Sequence, residues 1–417
     1  MIHILKIKVE EKIGTKIESR GDCELLSNAI LDVLEIDLSY NTIRRLYGLL
    51  PSTKPNSKTL NTLALFIGYK SYVHFVQNYK TEDRKTLSQS VFKAVNNFND
   101  VEMISFIKTL KRSNDDFPSF IVILIRELFH DRNFKLINKI FNLKELAFSS
   151  FSYSEVLFIG NSIGLLFRKN YFLDTDLLKS INFLQCIFLT FVDYSSLNNY
   201  YGDWAKYIKQ HVEVEETQLF TTALMEFKKL LNNEKVKDPF KNAAFDTSLN
   251  PILCSRLLSV KILVTKEHKI LEVLNRYAET HKKKAGLTDY YFELVSIAIL
   301  TKNIVVMKFI IETVKMDKRF ELYYQKKHLN MFYLMCAFYY KLVPNKIEQK
   351  KYAKLFNIDD TWFSYGDYLK LLHLVYLYAD AKKTEVKNKI LSEYLVLSKK
   401  LNYPYFSKNY MLNYFKV

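Results

Sequence analysis

The sequence predicts an all-α protein, and three features of its composition and pattern favour this fold class. The chain has 417 residues, of which 49% are hydrophobic and 25% charged, the balance of a protein that buries a core. It contains only 9 Gly and 7 Pro, whereas large all-β folds and doubly wound nucleotide-binding folds need more turn glycines. Apolar residues recur at three- and four-residue steps along most of the chain, as amphipathic helices require.

The first eighty residues contain several short elements. Residues 2–9 come close to a period-two alternation of apolar and polar side chains, which predicts a short strand. Helical patterns follow, with Ser39 and Ser71 as N-terminal caps and Gly68 as a C-terminal cap. The predicted helices cover residues 25–35, 40–49, 57–67 and 72–79.

The polar segment 81–90, TEDRKTLSQS, is the best candidate for a linker. It separates a domain at 1–80 from a region at 91–417, where amphipathic segments joined by short polar turns follow one another. Helix pairs with short turns predict an α-solenoid or an irregular helical-repeat domain. No fixed period near 34 or 40 residues recurs, and a weaker boundary signal falls at 232–251.

Basic residues outnumber acidic residues, and the excess is unevenly distributed. Lys and Arg number 61 against 44 Asp and Glu, for a net charge of +17, which indicates a polyanionic partner. Residues 1–40 hold five basic and eight acidic side chains, whereas residues 41–80 hold six basic side chains and no acid. Because a carboxylate facing phosphate would repel it, a surface that faces DNA excludes acids.

The arrangement within this acid-free stretch suits DNA binding. Helix 25–35 leads through a short turn at 36–38 into helix 40–49, the length relation of a helix-turn-helix whose second helix enters the major groove. Arg pairs bidentately with guanine and Asn with adenine, and a lysine-bearing turn before a helix N-terminus suits a phosphate. Ile43, Leu46 and Tyr47 are expected to face inward. The predicted DNA-binding residues are Tyr40, Asn41, Thr42, Arg44, Arg45, Lys54, Asn56 and Lys58.

The stretch LSYNTIRRLYGLLPSTKPNSKTLNTLALFIGY resembles helix-turn-helix regulators of the Cro/phage-repressor type. In that family a Ser-capped recognition helix ends at a Gly, a Ser/Thr-Pro turn follows, and a helix of the pattern TL..LA..IG closes the unit. The matching positions are Ser39, Thr42, Ile43, Gly48, Pro55, Thr59, Leu60, Leu63, Ala64 and Gly68. The pieces LSYNTIRRLYG and IGYKSYVHFVQNYK also resemble parts of AraC-type domains. Either resemblance implies a DNA-binding regulator.

The sequence contains no convincing match to the catalytic motifs of common enzymes. Gly160-Asn-Ser-Ile-Gly164 matches the G-x-S-x-G pattern of hydrolases, but its flanks predict one long helix, in which small residues allow close packing. The eight histidines form neither HExxH nor a pair at i, i+4. The four cysteines contain no CxxC pair, which indicates buried thiols in a reducing compartment. We therefore expect no catalytic activity, no cofactor and no metal.

Two hypotheses follow from these features. The first is a DNA-binding transcriptional regulator whose C-terminal helical domain senses a partner or dimerises, with double-stranded DNA as its main partner and a protein or a second copy as another. The alternative is a helical scaffold or adaptor that binds protein or RNA. The most apolar windows, 117–129 and 181–192, are too short to span a membrane. The charged N-terminus does not resemble a signal peptide, so a cytoplasmic protein without membrane contact is expected.

Overall fold

The computed structural model describes residues 2–51, 55–113, 116–169, 174–238, 251–281, 287–316, 326–361 and 365–416. Every regular element in these ranges is a helix, which confirms the predicted all-α class. The chain divides into two compact units, Met1–Asn97 and Phe98–Val417. The first unit contains α1 (Ile2–Ile13), α2 (Arg20–Leu34), α3 (Tyr40–Tyr47), α4 (Ser57–Phe66) and α5 (Tyr72–Asn97).

The second unit is a succession of helices of different lengths. They are α6 (Asp100–Ser113), α7 (Phe117–His130), α8 (Phe134–Phe141), α9 (Tyr153–Lys169), α10 (Ile181–Phe183), α11 (Tyr200–His211), α12 (Glu215–Leu231), α13 (Pro251–Val264), α14 (Glu267–His281), α15 (Leu287–Leu300), α16 (Ile304–Met316), α17 (Lys326–Leu342), α18 (Lys346–Leu355), α19 (Gly366–Asp380), α20 (Thr384–Leu401) and α21 (Lys408–Asn413). A π-helical turn, Leu184–Phe188, continues α10. None of the described helices combines the length and the apolar character needed to cross a lipid bilayer.

Helix α1 occupies the segment for which the sequence predicts a strand. Leu5 and Val9 are fully buried one helical turn apart, and Ile2 and Ile13 pack against the same core. These positions recur at three- and four-residue steps, so a helix gathers them on one face. The alternation that predicts the strand is interrupted by Leu5, which follows Ile4 directly. The strand prediction at 2–9 is therefore wrong.

Helix α5 runs through the segment predicted as a linker. Residues 81–90 contain neither Gly nor Pro, so nothing in this segment terminates a helix. The helix expected to end near Tyr79 continues to Asn97. The polar composition of residues 81–90 thus belongs to a helix, and the first compact unit ends beyond it, at Asn97.

The core of the first unit gathers apolar side chains from all five helices. Its helical members are Leu5, Val9, Cys23, Leu26, Ile30, Ile43, Leu46, Leu60, Leu63, Ala64, Phe66 and Phe75. Helix α2 packs against both α3 and α4, and α1 packs against α4. Two polar contacts join α1 to this core: Lys12 Nζ donates to the carbonyl of Phe66, and Tyr47 Oη donates to the carbonyl of Lys6 at 3.2 Å.

The predicted caps Ser39, Ser71 and Gly68 are confirmed by their geometry, whereas the helix predicted to reach residue 49 ends at Tyr47. Gly48 ends α3 at φ +83° and Gly68 follows α4 at φ +94°, the left-handed conformation that favours glycine. The Ser39 and Ser71 hydroxyls accept backbone N–H groups in the first turns of α3 and α5, at 3.3 and 3.1 Å. These local signals set the positions of the helices that flank the candidate site.

Several helices of the second unit pack on their next-but-one neighbours as well as on consecutive ones. Helix α13 packs against α15, α14 against α16, and α15 against α17. Such contacts are typical of helix pairs stacked side by side. The solenoid itself stays a prediction, and of the weaker boundary signal at 232–251, residues 239–250 lie outside the described part of the chain.

The two glycines of the G-x-S-x-G segment allow close packing of helices. Gly160 and Gly164 lie within α9, where it packs closely against the π-helical turn. A Cβ added at Gly160 would lie 1.9 Å from Thr190 Oγ1, and one at Gly164 would lie 2.2 Å from the Phe191 ring. The predicted helix and close packing are confirmed.

All four cysteines are buried free thiols, as expected.

His373 on α19 gives the unfolding free energy a dependence on pH. Burial lowers its pKa to about 4, against a smaller opposing effect of Glu393. Its ring lies 4.8 Å from that of Phe356. The unfolded chain, in which a histidine titrates near ~6.5, takes up a proton that the folded chain excludes. The contribution of His373 is therefore present above pH ~6.5, falls as the pH drops towards ~4, and levels out below.

We expect His373→Gln to remove this contribution. Between pH ~7 and ~4, the parent should lose about 3 kcal/mol more of unfolding free energy than the variant. Urea denaturation at a series of pH values measures the difference. Parallel stability curves for the two proteins would contradict the assignment.

Candidate nucleic-acid interface

The turn between α2 and α3 is anchored to α2. Glu35 follows α2 in the left-handed conformation, with φ +55°. The Ser27 hydroxyl on α2 donates to the carbonyl of Leu38 at 2.7 Å, and the Leu38 side chain is buried. These contacts hold the start of α3 against α2.

Helix α3 has one buried face and one outward face. Ile43 is fully buried and Leu46 is 8% exposed, while Tyr47 is half-buried. These three residues face inward, as predicted. With 3.6 residues per turn, this leaves Asn41 and Arg45, one turn apart, near the centre of the opposite face.

Arg45 has the exposure expected of a nucleic-acid contact. Its side chain is exposed, as is that of Lys58 in the first turn of α4. Neither cation forms an ion pair with a residue that the structure describes. Their charges are therefore not neutralised within this part of the chain.

Arg44 is placed differently from its neighbour. It is half-buried, its Nη1 donates to Asn41 Oδ1 at 3.2 Å, and its Nε is buried with no hydrogen-bond partner among the described residues. Burial raises the pKa of the Cys23 thiol on α2, and the positive charge of Arg44 offsets part of this increase. The Arg44 guanidinium therefore lies against its own helix, whereas the sequence treats the two arginines alike.

The first turn of α3 also carries Tyr40 and Thr42. Tyr40 lies at the edge of the core, with the Arg20 guanidinium 5.3 Å from the centre of its ring. Arg20 in turn contacts Glu24 at 2.7 Å. Thr42 is half-buried. Both side chains are thus only partly available to a ligand.

The remaining predicted residues precede or begin α4. Asn56 is the N-cap of α4, and its Oδ1 accepts the backbone N–H of Thr59 at 2.7 Å. This engages the side-chain oxygen, although the residue itself is exposed. Lys54 lies outside the described residues. The structure therefore brings Asn41, Arg44 and Arg45 together on α3 and assigns Asn56 a capping role.

A buried ionic cluster in the second unit was not anticipated from the sequence. Arg256 on α13 is fully buried, and its Nη2 donates to Glu293 on α15 at 2.8 Å and to Tyr194 Oη. Tyr365 Oη donates to the other oxygen of Glu293 at 2.5 Å. The guanidinium lies over the rings of Tyr194 and Phe227, at 4.4 and 4.5 Å.

The electrostatics of this cluster keep its arginine charged. Burial alone lowers the pKa of Arg256, but Tyr194, Glu293 and Tyr365 outweigh that effect, and the pKa lies above its usual value. Burial raises the pKa of Tyr194 well above the ordinary range. The cluster is therefore an ion pair surrounded by neutral phenols.

A second buried contact set adjoins the cluster. Asp193 is fully buried, with Arg168 Nε 3.5 Å away and Tyr200 Oη donating at 2.8 Å. Burial raises the pKa of Asp193, against the opposing charge of Arg168. Tyr403 Oη donates to the carbonyl of Tyr194 at 2.8 Å. Together these contacts satisfy polar groups of a buried loop, which unpaired would be costly.

The only signal for this cluster in the sequence was a charge in each of two apolar segments. Arg256 stands in PILCSRLLSVKILV and Glu293 in LTDYYFELVSIAIL. Nothing in either segment indicates that the two side chains meet. Within the described ranges, no group of three or more His, Cys, Asp or Glu is placed to hold a metal ion.

Comparison of the chain with protein-family models, with curated proteins and with solved structures gave no match.

Proposed function

We propose that this protein is a DNA-binding transcription regulator whose helix α3 lies in the major groove. The observation that carries the proposal is Arg45, which is exposed and has no ion pair among the described residues, on a helix whose opposite face is packed into the core. A helix held this way presents its outward side chains in a fixed orientation. The order of a first helix, a short turn and this helix supports the proposal of a helix-turn-helix.

The charge distribution supports the same proposal. Residues 41–80 contain six basic residues and no acid. Arg45, Lys58 and Lys70 are exposed, so part of this charge is available to phosphate. Because no carboxylate is present in this segment, its own side chains do not repel a phosphate backbone.

The second unit would then sense a partner or dimerise, so that two copies of α3 reach adjacent major grooves. The four buried free thiols favour a reducing, cytoplasmic location. The alternative, a non-catalytic helical scaffold or adaptor that binds protein or RNA, predicts only the weak, non-specific binding to duplex DNA that a net charge of +17 produces, without dependence on Arg45 in particular.

We expect Arg45→Ala to weaken binding to a selected DNA duplex by about tenfold or more, because the substitution removes a donor group that contacts a base or a phosphate. Fluorescence anisotropy with a labelled duplex, at salt concentrations from ~50 to ~200 mM, measures both the affinity and its salt dependence.

Arg276→Ala is the matched control. Arg276 is an exposed arginine on α14, 3.0 Å from Glu272, so its loss changes the net charge equally in the other unit. Equal affinities for the parent and Arg45→Ala at every salt concentration would contradict the proposal. Binding to single-stranded RNA or to protein, without binding to duplex DNA, would favour the scaffold.

A further inference from the structure

We infer that α3 recognises guanine through hydrogen-bond donors alone, with Arg44 acting as a positioning residue that turns the Asn41 amide outward. This inference rests on the proposed DNA-binding function and names the base that the site selects. It replaces the adenine contact expected of Asn41 from its residue type.

The first step concerns the orientation of the Asn41 amide. Arg44 Nη1 donates to Asn41 Oδ1 at 3.2 Å. An asparagine side chain has one acceptor oxygen and one NH₂ group with two donors. With its oxygen turned towards Arg44, the amide presents its NH₂ group on the other side. A bidentate contact with adenine needs both the oxygen and the nitrogen directed at the same base. Arg44 occupies one of the two lone pairs of Oδ1 and holds a positive charge beside the other, which disfavours a second donor such as the adenine amino group.

The second step concerns Arg44 itself. Its side chain is half-buried, and its Nε is removed from solvent. Its one side-chain hydrogen bond in the described part of the chain is the part-buried contact with Asn41, which holds the guanidinium against its own helix. A charge-assisted hydrogen bond from a held guanidinium is stronger than one between neutral groups. Arg44 therefore orients Asn41 and does not extend towards a ligand.

The third step concerns the pattern that the outward face presents. Arg45 is exposed one turn after Asn41, and an arginine has donors only. Guanine offers two acceptors, N7 and O6, on its major-groove edge. Adenine pairs one acceptor with a donor, cytosine has only a donor, and thymine has a single acceptor beside its methyl group. Four residues of helix span about 6 Å, close to two base-pair steps of about 3.4 Å each. The face therefore suits two guanines within three consecutive base pairs.

The test is a selection from a random duplex library with the parent, Arg44→Ala and Asn41→Asp. The parent should enrich two guanines within three base pairs. Arg44→Ala frees the Asn41 oxygen, so adenine should rise about tenfold at one of the two positions while guanine at the other is unchanged. Asn41→Asp retains a partner for Arg44 but presents an acceptor, so the same position should change to cytosine.

Several results would overturn the inference. If Arg44→Ala weakens binding to all sequences alike and lowers the salt slope, Arg44 is a phosphate contact. Adenine at the Asn41 position in the parent selection would also overturn it, as would the enrichment of no sequence at all. If circular dichroism shows that Arg44→Ala does not fold, the selection with Asn41→Asp tests the inference instead. Guanine retained by Asn41→Asp at the base position that residue 41 contacts would then overturn it.

Failure of the inference is distinguishable from failure of the proposed function. If the parent binds duplex DNA with a steep salt dependence and loses affinity in Arg45→Ala, the proposed function stands, whichever base is selected. If the parent binds no duplex, the function and the inference fail together.

Discussion

Arg256→Leu is expected to destabilise the protein by about 3–5 kcal/mol, because it leaves the Glu293 carboxylate buried without its cation. The arginine is fully buried, and its Nη2 lies 2.8 Å from Glu293. The phenols of Tyr194 and Tyr365 remain as hydrogen-bond partners, but neither carries a compensating positive charge. The free energy of unfolding, from urea denaturation at pH ~7, measures the loss.

The double variant Arg256→Leu/Glu293→Leu separates this charge effect from lost packing. It buries no uncompensated charge, so we expect it to be more stable than Arg256→Leu alone. The exposed pair Arg276–Glu272, at 3.0 Å, provides the control, and Arg276→Leu should change stability by less than about 1 kcal/mol. If Arg256→Leu costs no more than that control, the ionic cluster does not stabilise the fold.

Gly202→Ala is expected to destabilise the protein by about 3 kcal/mol through overpacking. Gly202 lies in the first turn of α11, where an added Cβ would fall 1.9 Å from the backbone oxygen of Leu197 and 3.0 Å from Lys228 Nζ. The lysine nitrogen can move aside, but a backbone carbonyl in a buried loop cannot do so without shifting the loop. A fall in the thermal unfolding midpoint measures the effect.

Gly21→Ala is the matched control for this substitution. Gly21 also lies in the first turn of a helix, α2, but an added Cβ would meet only Ser19 Oγ at 3.7 Å, an ordinary contact. Because alanine has less freedom in the unfolded chain, Gly21→Ala should leave stability unchanged or raise it by up to about 1 kcal/mol. Equal effects of the two substitutions would exclude a close approach at Gly202.

The caps Ser39, Ser71 and Gly68 were predictable because capping depends on nearby residues alone. Ser39 and Ser71 bond to N–H groups two or three residues ahead, and Gly48 and Gly68 adopt positive φ. Such signals act within one or two turns of helix, so the local sequence contains all the information they need.

The errors concern segments whose local pattern allowed more than one structure. The apolar residues of 2–9 fit two periods, and only packing of Leu5 and Val9 into a shared core favours the helix. A polar composition at 81–90 is equally compatible with a linker and with the continuation of a helix, and α5 runs through it.

In the candidate interface, too, the local sequence predicts some features and the packing of the helices fixes others. Composition and spacings of a few residues are enough to predict the all-α class, the acid-free stretch and the position of Arg44 and Arg45 on a short capped helix. The packing of the helices determines that Arg45 is exposed while Arg44 is half-buried and bonded to Asn41. It also determines that Arg256 meets Glu293. Side chains distant in the chain, or one position apart on a helix, acquire different environments only when other helices pack against them.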